Sequence, residues 1–182
     1  MRKNFGKKTW MVPLPVLILG TYDENGVPNA MNAAWGGIYD YEKVIVSLSE
    51  HKTTDNLRLK KAFTIAFATK KTVVASDYVG VVSGKKVHDK VAKAGLHAVK
   101  AEHVDAPIFE EYPLVLECEV ESFEEGILIG KIINVSVDDT ILTNDQIDYD
   151  KAEFIAFDAT SNKYMLVKGE VADAFKIGMT IH

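Results

Sequence analysis

Ten residues in the second half of the chain leave little choice of fold class. From Leu114 to Phe123 the sequence alternates: Leu116, Cys118 and Val120 point one way, and Glu117, Glu119 and Glu121 the other. A period of two with one apolar and one charged face describes a half-solvated strand of an antiparallel sheet. Glu124-Glu125-Gly126 then turns the chain, and residues 127–137, ILIGKIINVSV, return as the partner strand.

The rest of the chain follows the same pattern. Residues 14–21, LPVLILGT, read as a buried strand, and Asp23-Glu24-Asn25-Gly26 as a hairpin turn whose Asn-Gly supplies positive φ values. The second arm starts at Val27, where Pro28 suits an edge strand or a strand start. Residues 44–49 and 62–69 read as strands. Between them residues 54–61 form a short helix with Leu57 inward and Arg58, Lys60 and Lys61 at its C-terminus. Val74, Tyr78, Val81 and Val82 recur at helical spacing, so residues 73–82 are expected to be a helix that Ser83-Gly84 ends. Asp89 to Ala94 reads as a second short helix closed by Gly95, and 97–113 and 138–153 as loop. Phe154–Phe157 and Tyr164–Val167 read as short strands around a turn at Ser161-Asn162, and Val171–Phe175 as a closing helical turn. Many strands, helices inserted between them and no βαβ alternation predict a mainly β protein, a β-barrel with helical insertions.

Composition narrows the function. A chain of 182 residues, 47% hydrophobic and 26% charged, suits one globular domain over residues 1–182. A net charge of −5 argues against a nucleic-acid surface. The longest apolar run, Val12 to Leu19, contains two prolines and is too short to span a bilayer. The basic start, MRKNFGKKTW, is not followed by an apolar signal core, so a cytoplasmic protein without a membrane role is expected. The single Cys118 precludes an intrachain disulfide and sits mid-strand as a packed thiol. His51, His88, His97, His103 and His182 lack metal-ligand spacing, so no metal site is expected. No G-x-G-x-x-G follows the first strand, which disfavours a Rossmann fold. Gly80 to Lys86 is a poor P-loop: its glycines stand one residue too close and Lys86 takes the Ser/Thr position. Nothing calls for acid–base catalysis by a side-chain pair.

The stretch from Asn29 to Asn56 is the best candidate site. Ala30, Ala33, Ala34, Gly36 and Gly37 would let a flat ring lie against the backbone, and Asn32 can offer an amide to its edge. Lys52, Thr53 and Thr54 stand where a helix begins, and unpaired amides, a cation and hydroxyls there suit a phosphate. A bland reading is also open: small residues for tight packing, and Thr53 or Thr54 as a plain N-cap.

The ordered set P-V-L-I-L-G-T, D-E-N-G-V-P-N-A-M-N-A-A-W and V-I-V-S-L-S-E-H-K-T-T-D-N-L resembles the flavin reductase-like, FMN-binding split-barrel family, and especially its flavoredoxin branch. Ser83-Gly84 followed by Asp89-Lys90, and the ending F-I-A-F-D, K-Y-M-L-V-K-G and A-F-K-I-G, extend the resemblance over nearly the whole chain. It implies a homodimer of FMN-binding split β-barrels with FMN held non-covalently near the subunit interface. It would place Asn32, Ala33, Ala34 and Trp35 along the isoalloxazine, and Ser47, Leu48 and Ser49 beside the ring and ribityl chain. Lys52, Thr53 and Thr54 would hold the phosphate. Ser83 and Lys90 would approach the flavin, with Asp89 an orienting partner; the plainer alternative for Asp89-Lys90 is a helix start with an exposed charge.

Two departures from the family pattern bear on function. The segment Asn32-Ala33-Ala34-Trp35 lacks a proline that many flavin reductases of the family carry. The C-terminal strands also lack a histidine tied to nicotinamide handling. The missing histidine favours an electron carrier that exchanges electrons with a redox protein. The alternatives are an NAD(P)H-dependent FMN reductase and a ligand-binding barrel with no redox role.

Overall fold

The structure, a computed structural model, describes residues 1–181; His182, one of the five histidines, lies outside the described residues. The chain opens with β1 (Leu14–Pro15), β2 (Leu17–Tyr22), β3 (Pro28–Ala33), β4 (Gly36–Asp40) and β5 (Lys43–Ser47). Helix α1 (Lys52–Lys60) leads into β6 (Ala62–Phe67), and α2 (Val73–Val81) and α3 (Lys90–Lys93) follow. Next come β7 (Ala98–Lys100), β8 (Pro107–Phe109), and the long strands β9 (Leu114–Glu124) and β10 (Ile127–Val137). The chain closes with β11 (Leu142–Thr143), β12 (Gln146–Ile147), α4 (Tyr149–Ala152), β13 (Ile155–Asp158) and β14 (Lys163–Leu166).

Seven strands form one curled antiparallel sheet in the order β3-β2-β6-β9-β10-β5-β4. Its two edges, β3 and β4, are consecutive in the chain and joined only by Ala34 and Trp35. The sheet is therefore a barrel left open along one seam, and the small-residue stretch crosses that seam. Pro28, which has no N–H to donate, begins an edge strand, where the missing bond costs least.

Alternation within β2 divides the core. Leu17 and Leu19 face the barrel interior with Met31, Val46, Phe63, Ile65, Leu116 and Leu128, a cluster that Leu57 of α1 joins. Ile18 faces outward with Val16, Ala66, Val79, Val91, Phe109 and Val115, in a cluster that includes residues of α2 and α3. Both faces of β2 are buried, which explains why its sequence is a continuous apolar run. The Phe63 ring lies directly over Gly130 of β10, where a Cβ would collide with it.

The structure corrects several sequence expectations. Glu117 does not face solvent; it is 1% exposed, beneath the excursion between α3 and β9. Its carboxylate accepts from the His103 amide at 2.8 Å and from Asn134 Nδ2 at 2.9 Å. Only the far end of β9 is half-solvated, with Glu119 and Glu121 exposed. The segment 97–113 carries the β7–β8 pair, and 138–153 carries a 3-10 turn at Asp139–Ile141, the β11–β12 pair and α4. The closing helical turn falls at Ile177–Thr180 rather than over Val171–Phe175. In the β2–β3 turn only Gly26 has positive φ, at 77°, because Asp23 shapes the loop by accepting from the Asn25 and Val27 amides, each at 2.9 Å.

Candidate functional site

Three parts of the fold meet at the β3 edge. β3 delivers Asn29, Met31 and Asn32, the start of α1 delivers His51, Lys52 and Thr53, and α2 with the turn after it delivers Val79 to Gly84. Lys90, at the start of α3, completes the lining of a cleft of about 160 Å³. Close packing builds it. A Cβ on Gly84 would collide with Asn29 Oδ1, and one on Gly80 would lie 3.0 Å from Asn32 Cβ. Glycine at both places lets α2 and its following turn lie this near the strand without displacing Asn32 or Asn29.

The cleft is polar and cationic. Thr53, 1% exposed, accepts from Asn29 Nδ2 at 2.8 Å, and Asn32 Nδ2 donates to the Ser76 carbonyl at 3.0 Å. Lys52 Nζ lies 3.5 Å from Asp23 Oδ2 and 3.7 Å from Glu24 Oε2, held at the mouth by the hairpin turn. Burial pushes the Asp23 carboxyl up, but the Val27 and Asn25 amides and the Lys52 cation more than offset this and leave it below its ordinary value. Lys90, 3% exposed, donates to the Val79 carbonyl at 3.2 Å and the Val82 carbonyl at 3.0 Å, so its ammonium caps the C-terminus of α2. Burial lowers its pKa to about 8. An ammonium has three donors, so one remains after the two carbonyls. The first turn of α1 adds amides with no intrahelical partner.

A larger hollow of about 740 Å³ lies further along two of the chain segments that reach this cleft, residues 29–37 and 45–53. It is lined by Trp35, Gly36 and Gly37 from the seam, by Ile45, Ser47 and Ile127, and by the N-terminal stretch Lys8 to Met11. Trp35 is 59% exposed. The Trp35 carbonyl accepts from the Ser47 amide at 2.8 Å and the Gly126 carbonyl from the Leu48 amide at 2.7 Å, which ties residues 47–48 to the seam on one side and to the β9–β10 turn on the other.

Of the residues expected from sequence, Asn32, Lys52, Thr53, Ser83 and Lys90 gather in the smaller cleft, and Trp35 and Ser47 in the larger hollow. Ala33, Ala34, Leu48 and Ser49 lie on the two segments that join them. Thr54 and Asp89 stand apart. Thr54, fully buried, accepts from the His51 amide at 2.9 Å and donates to the His51 carbonyl at 2.8 Å, and so serves the helix start. Asp89 is exposed and pairs with Lys93 at 3.0 Å, not with Lys90. Sequence reading gave no role to Asn29, which orients Thr53, or to Asp77 and Tyr164, which flank Asn32 in a side hollow. The signal for Asn29 was a second asparagine, beside Asn32, on an edge strand otherwise made of proline, alanine and methionine.

The fold and the paired clefts define a split-barrel flavoprotein. Residues 10–153 match the model of the flavin reductase like domain, and the chain belongs to that family. It is similar to the flavoredoxin of Desulfovibrio vulgaris (Miyazaki F), with 36% identity, a TM-score of 0.94, and coverage of 98% of this chain and 100% of that one. A flavoredoxin from Methanosarcina acetivorans shares 24% identity with a TM-score of 0.89 over 100% of both chains. An FMN-binding domain of a flavin reductase-like enzyme from Shewanella baltica shares 18% identity with a TM-score of 0.79, over 87% of this chain and 89% of that one, and so shares the fold. Comparison with curated proteins returns no match. The chain is a flavoprotein of the flavin reductase/flavoredoxin type. Among the described residues no helix is long and apolar enough to cross a membrane.

Proposed function

We propose that the chain binds FMN non-covalently, through one domain spanning residues 1–182, and relays electrons through it to a redox protein. The observation that carries this reading is the convergence of Asn32, Thr53, Lys52, Ser83 and Lys90, remote in sequence, on one cationic cleft at a helix start. A phosphate fits that cleft: two ammonium groups, hydroxyls and first-turn amides converge with no carboxylate among the lining residues. A planar ring fits the hollow beside Trp35, Gly36, Gly37 and Ile45.

Bound FMN would supply reversible one- and two-electron chemistry, and the protein supplies position and field. Lys52 and Lys90 balance the phosphate charge. Along 47–49, the Ser47 and Leu48 amides are already given to carbonyls. The Ser49 amide and the Ser47 and Ser49 hydroxyls therefore remain to meet charge on a reduced ring. Trp35 lines one side of the hollow.

The same reading holds that a second copy covers the exposed apolar row Trp35, Ile38, Tyr39 and Tyr41 along the β4 edge, and that the dimer works in the cytoplasm. Equilibrium sedimentation at a dimer mass supports the first; a monomer at micromolar concentration removes it. The carrier role rests on the 36% identity with a flavoredoxin and on the absence of histidine between Phe154 and Ile181. The test is the anaerobic absorbance of the purified protein. The carrier reading expects flavin bands that bleach slowly with NADH or NADPH and quickly with a reduced redox protein. Rapid bleaching by either nucleotide replaces the carrier with an NAD(P)H-dependent reductase. A colourless protein that ignores added FMN makes it a ligand-binding barrel.

A further inference from the structure

Charge is unevenly divided along the chain. Arg2, Lys3, Lys7 and Lys8 stand among the first eight residues, and no carboxylate precedes Asp23. Taking these four cations from the net charge of −5 leaves −9 on residues 23–182. Residues 1–13 are exposed throughout. Among the described residues none of the four cations has a carboxylate partner.

Aromatic rings hold two of them instead. Lys3 Nζ lies 5.4 Å from the ring centroid of Phe5 and Lys8 Nζ 5.9 Å from that of Trp10, and the two rings are 4.9 Å apart. Such a contact positions an ammonium without neutralising it. The arm is also well placed. Lys8 to Met11 form one side of the hollow of about 740 Å³, beside Trp35, Gly36 and Gly37, and no carboxylate lines that hollow. Screening in salt of about 0.1 M leaves exposed charges a reach of about 10 Å. A protein arriving there therefore meets the cations of the arm and is screened from most of the negative body.

We propose that this N-terminal arm is the docking site for the acidic face of a redox protein, which it draws to the rim of the hollow. The proposal rests on the electron-relay reading and adds to it the charge of the partner. Four cations match a patch of a few carboxylates. A long polyanion such as a nucleic acid would run beyond the arm and meet the −9 of the body. The arm also opposes the net charge of the chain, and this sets the sign of the salt dependence. The chain as a whole repels an acidic partner, and the arm attracts one.

The test mixes FMN-loaded protein with a reduced acidic ferredoxin in stopped flow. Each ferredoxin is oxidised by one electron, so two of them bleach one flavin, which draws its proton from solvent. The rate should fall about tenfold between about 50 and about 300 mM salt. Arg2→Gln, Lys3→Gln and Lys7→Gln together should lower the low-salt rate about tenfold and flatten that slope, with FMN affinity unchanged. A rate that rises with salt, the sign set by the net charge of −5, overturns the proposal, as does an unchanged rate in the triple variant. Arm-dependent binding of an oligonucleotide, tighter than that of ferredoxin, would make the arm a nucleic-acid contact and also overturn it. Titration with oxidised ferredoxin separates docking from relay. Salt-sensitive, arm-dependent binding by a protein that takes up no FMN keeps the docking surface and removes the relay; flavin reduction that ignores both salt and arm does the reverse.

Discussion

Adjacent threonines at the start of α1 have opposite roles. Thr53 faces the cleft and takes the Asn29 amide, whereas Thr54 turns back to the His51 backbone. Thr54→Ala should therefore cost about 1 kcal/mol of stability, the usual worth of a cap, and leave flavin affinity within about twofold. Thr53→Ala, or Lys52→Ala, should weaken flavin binding by about tenfold or more, read by fluorescence titration. An equal loss of affinity at Thr53 and Thr54 would sink the division of roles. The sequence could not separate the two, because both suit a helix start and only the exit direction of β5 decides which one meets the cleft. Lys90 carries a pH prediction. An unfolded lysine titrates near 10.5 and the folded one at about 8, so between those values the unfolded chain binds more protons. Burial of the charged form is then a penalty at pH below 8 that lifts as pH rises through the window. Flavin-free protein should gain up to about 3 kcal/mol between pH 8 and 10.5. Urea unfolding against pH measures it, and Lys90→Met should remove that slope. Bound FMN should flatten it, because a phosphate in the cleft would hold the proton on.

At the scale of elements, the strands were legible and their surroundings were not. The alternation of β9 gave its direction and pairing but misassigned Glu117, since a period of two separates faces without saying what covers them. The excursion through β7 and β8, with no firm periodicity of its own, covers that face and ties to it through Glu117. Glu117→Ala should leave the His103 amide and Asn134 without their acceptor and cost about 2–3 kcal/mol. Limited proteolysis should then cut first between residues 97 and 107; cleavage spread evenly over the chain would contradict the anchoring role. The hairpin at Asp23 was legible because its turn chemistry is local, and α2 because its spacing is helical. What α2 packs against was not, since the contact of Gly80 with Asn32 joins residues 48 positions apart. Gly84→Ala would press a methyl onto Asn29 and displace it from Thr53. Flavin affinity should fall with little change in the circular dichroism of the fold.

For the whole molecule, strand content and the lack of βαβ alternation were enough to fix a barrel, but the strand order β3-β2-β6-β9-β10-β5-β4 was not readable, because it depends on pairings over long sequence separations. The resemblance of ordered motifs supplied the split barrel that periodicity alone left unnamed. Ligand binding to the folded state alone should raise stability by about 2.7 kcal/mol when free FMN is a hundredfold above its dissociation constant. A melting temperature unmoved by saturating FMN would argue against a preformed site. Cys118, buried with its pKa pushed up to about 12 by burial and by Glu117, should ignore thiol reagents until the barrel opens.

The open seam has a practical consequence. Both margins of the main sheet, β3 and β4, lie beside the proposed flavin site. Helix α2 packs on β3, which leaves β4 as the margin open to another chain, and the irregular register between Ile38 and Asp40 only partly roughens it. Stripping the flavin should therefore harm the solution before it harms the fold. Light scattering will rise on storage while helix and strand signals hold steady, and adding FMN back early will keep the sample clear.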